Sequence, residues 1–437
     1  EFFKTCRENP AKDDFDGAVP KTDLGKALLE VSNSLFDLGI PKKVNRCGLV
    51  VILKSGDPRA KTNYRGIALI NVLVKIVTKV VQMRVQNGLI ETKRLIREQA
   101  GFRAHEECVA QMVALYEILK RRSIVGLASY VAFIDFKKAY DMVPHEALLR
   151  KLELIGVRGK CLQFIRKLYS NGSIQLKSDG DFKGVDIPIE KGVRQGCPLS
   201  PTAFNVFIND LKEAIGDLGV QVPGVEGRIG FLLFADDLVL IAPTRRKLRR
   251  MLRRTTRWAR MNEMPIGVKK CGVMVFPPHN ADPLEWKQKL LTKVAWWRIE
   301  GEQIPIVDEY TYLGVPFTPT LDLDYVTKDR NNKGARALGK LVPVLSCKSV
   351  LLSIRIQLIK SCLIPVLTYG AELWGMMAQR TDRLQRTLNK ALRLITGSRS
   401  KRTVAAEVLG LEMSIPPIVA IAAAAKARAL AKYRSSE

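Results

Sequence analysis

The stretch Gly230-Phe-Leu-Leu-Phe-Ala-Asp-Asp-Leu-Val-Leu-Ile-Ala242 decides how this chain is read. The apolar runs on either side of Phe234-Ala-Asp-Asp237 have the length and composition of short buried strands. They place Asp236 and Asp237 side by side at the tip of a hairpin with buried arms. Adjacent carboxylates repel each other, and loss of water adds to the cost. A bound divalent cation would remove that cost, and two-metal phosphoryl transfer uses such carboxylates. A turn also accommodates Asp, although two-residue hairpin turns favour Asn-Gly or Asp-Gly and this one has no glycine. On these residues alone, turn and metal site both stand.

Working outward, Val131-Ala-Phe-Ile134 reads as a second buried strand, ending in Asp135. By itself Asp135 is a cap or turn residue. Together with Asp236 and Asp237 it makes three carboxylates at the ends of apolar strands, a set able to hold two Mg²⁺. A third element is Gly192-Val-Arg-Gln-Gly-Cys-Pro-Leu-Ser-Pro201. Ser200 and Pro201 suit the cap and first position of a helix. Gln195-Gly196 lets the backbone approach something flat or charged.

The composition narrows the function. The chain has 437 residues, 47% of them hydrophobic, and a formal net charge of +28. It is long enough for several domains and a sizeable core. The charge points to a polyanion, a nucleic acid or an anionic membrane. The apolar run Ile418–Ala425, closed by Lys426, is too short to span a bilayer. Eight scattered cysteines without a CxxC pair, and three histidines, argue against a zinc site. They read as reduced thiols of an intracellular chain. No signal peptide is visible, and Glu1 in place of Met reads as a fragment or processed product.

Helical spacing covers 22–36, 69–86, 106–122, 145–154, 160–169, 202–215 and 244–261. Strand patterns cover 48–53, 172–189 as a hairpin turning at Asp179-Gly180, 271–276 and 310–315. From about 328 the chain turns helical. This order predicts an α+β body followed by an α-helical domain. Thr244 to Arg260 contains no acidic residue, and Leu248, Met251, Leu252, Trp258 and Ala259 form its apolar stripe. Arg246, Arg250, Arg253 and Arg257 lie off that stripe. A solvated face usually mixes signs, so one sign alone predicts contact with nucleic acid. Their position directly after the Asp pair places that contact beside the carboxylates.

Phe133-Ile-Asp135 with Tyr140-Asp141, Arg194-Gln-Gly-Cys-Pro-Leu-Ser-Pro201 and Phe234-Ala-Asp-Asp237, in this order and with Tyr312-Leu-Gly314 downstream, resemble the reverse transcriptase of a non-LTR (LINE-type) retrotransposon. The resemblance runs from about Gly48 to about Gly397. It implies a right-hand polymerase: an N-terminal extension (1–45), fingers (46–129), palm (130–320, with 150–190 partly fingers) and α-helical thumb or connection (321–437). It implies two Mg²⁺, or Mn²⁺, on Asp135, Asp236 and Asp237, and Lys270 as general acid to the leaving pyrophosphate. Lys54, Arg65, Phe136, Tyr140, Gln195 and Gly196 would contact the deoxynucleoside triphosphate, with Tyr140 excluding a 2′-hydroxyl. Gln99, Gly101, Phe102 and Arg194 would meet nucleic acid, and Tyr312, Leu313 and Gly314 would form the primer grip. Lys328, Arg330, Lys333, Arg336, Lys340, Arg383, Arg386, Lys390 and Arg393 resemble a duplex-holding thumb surface.

The implied partners are an RNA template, a DNA primer and their hybrid, with no membrane and with nuclear residence; oligomeric state stays open. Three positions depart from the family pattern: Gly66 in place of Pro, Gly267 in place of Asn and Cys271 in place of Thr. No nuclease segment or Cys/His knuckle is visible, so the chain is expected to polymerise and not to nick. The rival readings are a decayed or domesticated copy that only binds RNA or hybrid, and a group II intron-type maturase. Leu367-Thr-Tyr-Gly-Ala-Glu-Leu-Trp374 favours the retrotransposon.

Overall fold

A computed structural model describes residues 23–54, 56–178, 181–182, 185–397 and 405–435. The expected turn at 179–180 lies outside the described residues. The sheet that positions the site has four antiparallel strands in the order Gly272–Phe276, Ser129–Ile134, Asp237–Ala242, Phe231–Phe234. Every residue of Ser129–Ile134 is buried, as a short continuous apolar run requires.

Side chains along a strand alternate between the two faces of a sheet. Tyr130, Ala132, Ile134, Leu238 and Leu240 pack with Phe204, Phe207, Leu248, Met251 and Trp258. That layer consists of the helices Ser200–Ile208 and Arg245–Met261. Val131, Phe133, Val239 and Ile241 pack instead with Met112, Leu115, Tyr312 and Val315. The second layer thus holds the helix Cys108–Ile124 and the hairpin Tyr310–Tyr312/Val315–Phe317.

A second sheet is interleaved with the first in sequence. Arg46–Leu53 pairs antiparallel with Tyr64–Leu69 and parallel with Ser173–Ser178. The helix Asp23–Leu38 packs its buried Phe36 against Phe164, with ring centroids 5.5 Å apart. Beyond Phe317 the described residues are helical, led by Leu323–Leu345 and Ala378–Thr396. The apolar cluster beneath them is continuous with the sheet, running from Phe133 through Val315 to Leu367, Trp374 and Leu388. No helix among the described residues is long and apolar enough to cross a membrane.

Three elements differ from the sequence reading. The run 310–315 is not one strand, because Leu313 and Gly314, both at positive φ, turn the chain back on itself. The helix expected over 202–215 breaks after Ile208 into a second piece, Leu211–Ile215. Asn209, at the break, accepts a hydrogen bond from Ile96 N–H (2.9 Å) and donates to the Arg94 carbonyl (3.0 Å). The helix expected from 69 starts at Val72, where the Asn71 side chain accepts from Leu73 N–H; Leu69 ends the preceding strand.

Trp374 is fully buried, and its indole N–H donates to the Tyr369 carbonyl at 3.2 Å. Trp374→Ala is expected to cost about 3–5 kcal/mol, read from urea unfolding followed by circular dichroism. A loss below about 1 kcal/mol would contradict a core shared between sheet and C-terminal helices.

Candidate active site

The hairpin register brings the carboxylates together. Ile134 stands opposite Leu238, so the next step out places Asp135 beside Asp237. Both continue the alternation of Val131, Phe133, Val239 and Ile241 and therefore project from the face that carries Tyr312. Phe234 pairs with Asp237, which leaves Ala235-Asp236 as a two-residue turn. Ala235 has φ 57°, a left-handed conformation that normally selects glycine.

Gln99 holds that turn. Its side-chain oxygen accepts from Ala235 N–H (2.9 Å) and Gly101 N–H (2.8 Å), and its amide donates to the Ala235 carbonyl (3.1 Å). The flanking backbone runs alongside Phe231–Phe234, with Leu233 N–H donating to the Glu98 carbonyl and Ala100 N–H to the Leu233 carbonyl. Gly101 lies so close to the Ala235 backbone that no Cβ fits, and Asn205 donates to its carbonyl at 2.7 Å. Gln99 is only 1% exposed. The expectation that Gln99 and Gly101 contact nucleic acid is therefore corrected: they are buried and shape the Ala235-Asp236 turn.

Electrostatics mark the three acids as one group. Burial raises the Asp135 carboxyl above the usual carboxylate range. Burial also raises Asp236, and the charge of Asp135 adds to the rise. Asp237 is pushed up to about 6 by burial, then by Asp236 and Asp135. Lys54 and Lys270 pull Asp135 back down, and Arg65 with Lys54 does so for Asp236. The fingers register accounts for the last pair. Arg65 stands opposite Ile52, and Lys54, two residues further, shares that face; Lys54 N–H extends the ladder to the Asn63 carbonyl at 2.8 Å. Among the described residues no three acidic, Cys or His side chains converge closely enough to hold an ion alone. A Mg²⁺ ion commonly completes its shell with substrate phosphates and water, so a carboxylate set need not enclose one alone. Mutually repelling hard oxygen donors fit such an ion.

Next to the acids lies an aromatic floor. Tyr140 stacks on Phe204 at 4.8 Å, and the 47%-exposed Phe102 meets its edge at 6.0 Å. The Tyr140 hydroxyl has no partner among the described residues, and burial followed by Asp236 drives its pKa strongly upward. Gln195 contributes its carbonyl to Ala68 N–H (2.9 Å) and its amide to Asp141 (3.3 Å). Gly196, at φ 116°, has room for no Cβ because the Ala68 carbonyl lies 2.7 Å from where it would stand. The close partner of this turn is thus the strand Tyr64–Leu69.

Phe136 is corrected from nucleotide contact to core, since it is 4% exposed and packs edge-on to Trp258. Arg194 is corrected likewise. It is 5% exposed and donates to the Asn45 side chain (2.7 Å) and the Leu168 carbonyl (3.0 Å). Two of the departures from the family pattern border Asp135. A Cβ on Gly267 would stand 2.6 Å from Asp135 Oδ2, and Asp135 N–H donates to Cys271 Sγ at 3.4 Å. Lys270 is exposed between them.

Of the primer-grip residues, Tyr312 is buried and Phe133 stacks on its neighbour Tyr310 at 4.1 Å. Leu313 and Gly314 form the outward turn, and sequence reasoning missed what props it. Tyr369 donates to the Leu313 carbonyl (2.9 Å), while Arg330 (2.6 Å) and Lys333 (3.3 Å) donate to that of Gly314. Arg330 and Lys333 thereby leave the expected duplex-facing set. The only signal was Thr368-Tyr-Gly370, within the run read as favouring the retrotransposon. Arg246, Arg250, Arg253 and Arg257 are exposed, but their helix packs on the sheet face opposite Asp135 and Asp237. The expectation that they border the catalytic duplex is corrected by sheet topology.

Residues 41–317 match the family model described as reverse transcriptase (RNA-dependent DNA polymerase). The chain is 26% identical over 317 residues to the Pol polyprotein of the type-2 retrotransposable element R2DM of Drosophila melanogaster, covering 70% of this chain and 28% of that protein. It is 24% identical over 409 residues to the RNA-directed DNA polymerase from mobile element jockey of Drosophila funebris, covering 90% of this chain and 42% of that one. The chain thus spans less than half the length of either relative. The telomerase of Candida albicans superposes with a TM-score of 0.45 at 12% identity, over 85% of this chain and 65% of that one.

The Asp237 carboxyl holds its proton more tightly in the folded chain, near pH 6, than in the unfolded chain, where Asp titrates near 3.9. Folding therefore loses stability as pH rises between those values, and the deficit is constant above them. In EDTA, Asp237→Asn is expected to raise the thermal midpoint by a few degrees at about pH 7.5 and to change it little at about pH 4.5. Differential scanning fluorimetry would read this, and a lowered midpoint at the higher pH would contradict the repulsion.

Proposed function

This chain belongs to the reverse transcriptase family, with non-LTR retrotransposon elements as its relatives, and on that premise we propose that it copies RNA into DNA from a primer 3′ end. The supporting observation is one constellation: Asp135, Asp236 and Asp237 at a single sheet edge, faced by Lys54, Arg65 and Lys270. Asp135, Asp236 and Asp237 would hold two Mg²⁺, or Mn²⁺. When bound, these ions supply charge stabilisation to the transferring phosphoryl group.

The chain's own side chains do the remaining work. Lys54 and Arg65 grip the triphosphate from the fingers hairpin, Arg65 with a fork suited to two phosphate oxygens. Lys270 stands where it can hand a proton to the departing pyrophosphate. Tyr140, fixed flat on Phe204, closes the space a 2′-hydroxyl would need. The Leu313-Gly314 turn presents backbone to the primer end. Exposed Lys328, Arg336, Lys340, Arg383, Arg386 and Lys390 on the C-terminal helices suit phosphate contacts that carry no sequence information.

Primer extension on poly(rA) with Mg²⁺ is the test. Wild type extends the primer. Asp236→Ala gives no product above background while keeping RNA affinity, which separates a polymerase from a copy that only binds. Equal background signals from both proteins would overturn the enzymatic reading. Tyr140→Ala is expected to admit ribonucleotides roughly tenfold more readily or better, measured as the ratio of ribo- to deoxynucleotide incorporation. An unchanged ratio would remove Tyr140 as the sugar gate.

A further inference from the structure

The helix Arg245–Met261 is a surface for which polymerase chemistry has no use. Thr244 starts it, with its hydroxyl accepting from Lys247 N–H. No acidic residue follows before Glu263. Two arginines serve the fold: Arg245 bonds Thr292 Oγ1 at 3.2 Å, and Arg254 donates to the Ile215 carbonyl at 2.7 Å. Arg246, Arg250, Arg253, Arg257 and Arg260 are exposed, and among the described residues none of their side chains has an ion pair or hydrogen bond. Neighbours three and four apart on a helix carry like charge here, which costs stability. Among the described residues, Glu300 is the one acidic residue lining the cleft that these arginines share with Arg298 and Trp296. Arg249 lies over the Trp296 ring at 4.8 Å. The cleft encloses about 940 Å³.

The shape and chemistry select the occupant. The helix is 17 residues long, which is about 25 Å, and unpaired guanidinium groups recur at every turn. A nucleic-acid strand offers an unbroken row of phosphates over that length, and each guanidinium can grip two oxygens. A bilayer fits poorly. The helix's apolar stripe, Leu248, Met251, Leu252 and Trp258, is already buried against the sheet, and a surface-bound helix needs that stripe free. The cleft also lies behind the sheet, with a whole helix between it and the carboxylates.

We propose that the arginine-lined cleft between Arg245–Met261 and Trp296–Arg298 binds the phosphodiester backbone of a nucleic-acid strand outside the catalytic cleft. This is a second, sequence-independent site, distinct from the one that seats template and primer. It goes beyond the polymerase reading, and its occupancy can be measured without any nucleotide incorporation.

The test saturates the full chain with a short RNA–DNA template–primer hairpin. A fluorescent 20-nucleotide single-stranded RNA, the matching DNA and phosphatidylserine vesicles are then titrated separately. Fluorescence anisotropy is expected to show both single strands binding to the hairpin-loaded protein, with no loss of hairpin. The triple variant R250Q/R253Q/R257Q should weaken that second event by at least tenfold and lower its log–log salt slope by about 2. Circular dichroism checks that the variant is folded, as fully exposed substitutions should leave it. One-for-one displacement of hairpin by RNA would overturn the proposal, as would unchanged strand affinity in the folded variant. Loss of vesicle binding alone would assign the surface to a membrane and overturn it too.

Discussion

The structure depends on the antiparallel step that sets Ile134 against Leu238. One residue further, the same ladder places Asp135 against Asp237, and the closing turn adds Asp236. Three carboxylates so placed repel, and burial sharpens the repulsion. A chain folding for stability alone would have no reason to build this arrangement. Here the cost is concentrated at the open end of a sheet whose other residues are among the most buried in the protein. Buried strands give the site rigidity, and the charge crowding gives it an appetite for cations.

Supporting groups converge on that edge from distant parts of the chain. Gln99 satisfies both backbone polar groups of the left-handed Ala235, so a conformation costly for alanine becomes the favoured one. Arg194 ties the loop after Gly192 to Asn45 and Leu168, and Gln195 joins the same loop to the fingers strand at Ala68. The fingers hairpin is thereby held where Lys54 and Arg65 face the acids. On the primer side, Tyr369, Arg330 and Lys333 brace Leu313-Gly314 from the C-terminal helices. The two faces of one sheet thus serve different ends: one carries the carboxylates, and the other carries a helix whose arginines look away from them.

Much of this was legible in the sequence, for particular physical reasons. Continuous apolar runs ending in Asp can be read locally, so both strands and the meeting of the three acids at their ends could be read. The stripe of Arg245–Met261 follows from helical periodicity and was also found. Which sheet face receives that stripe depends on topology, which no local pattern encodes, and so the arginines were first placed beside the duplex. Gln99 and Arg194 were misread for a related reason. A polar side chain that bonds backbone more than 100 residues away looks, in sequence, like one waiting for a ligand. Tyr310 and Tyr312 alternate like one strand, and Gly314 was the available sign that the chain turns there.

Manganese binding counted by electron paramagnetic resonance tests most directly whether the three acids form one site. The sample is the full chain with template–primer and a non-hydrolysable deoxynucleotide. Two bound Mn²⁺ are expected for the wild type, the number a two-metal phosphoryl-transfer site holds. Asp135→Asn should lower both occupancy and affinity, because on this account Asp135 would share its ions with Asp236 and Asp237. Identical binding by the Asp135→Asn variant and the wild type would contradict the account.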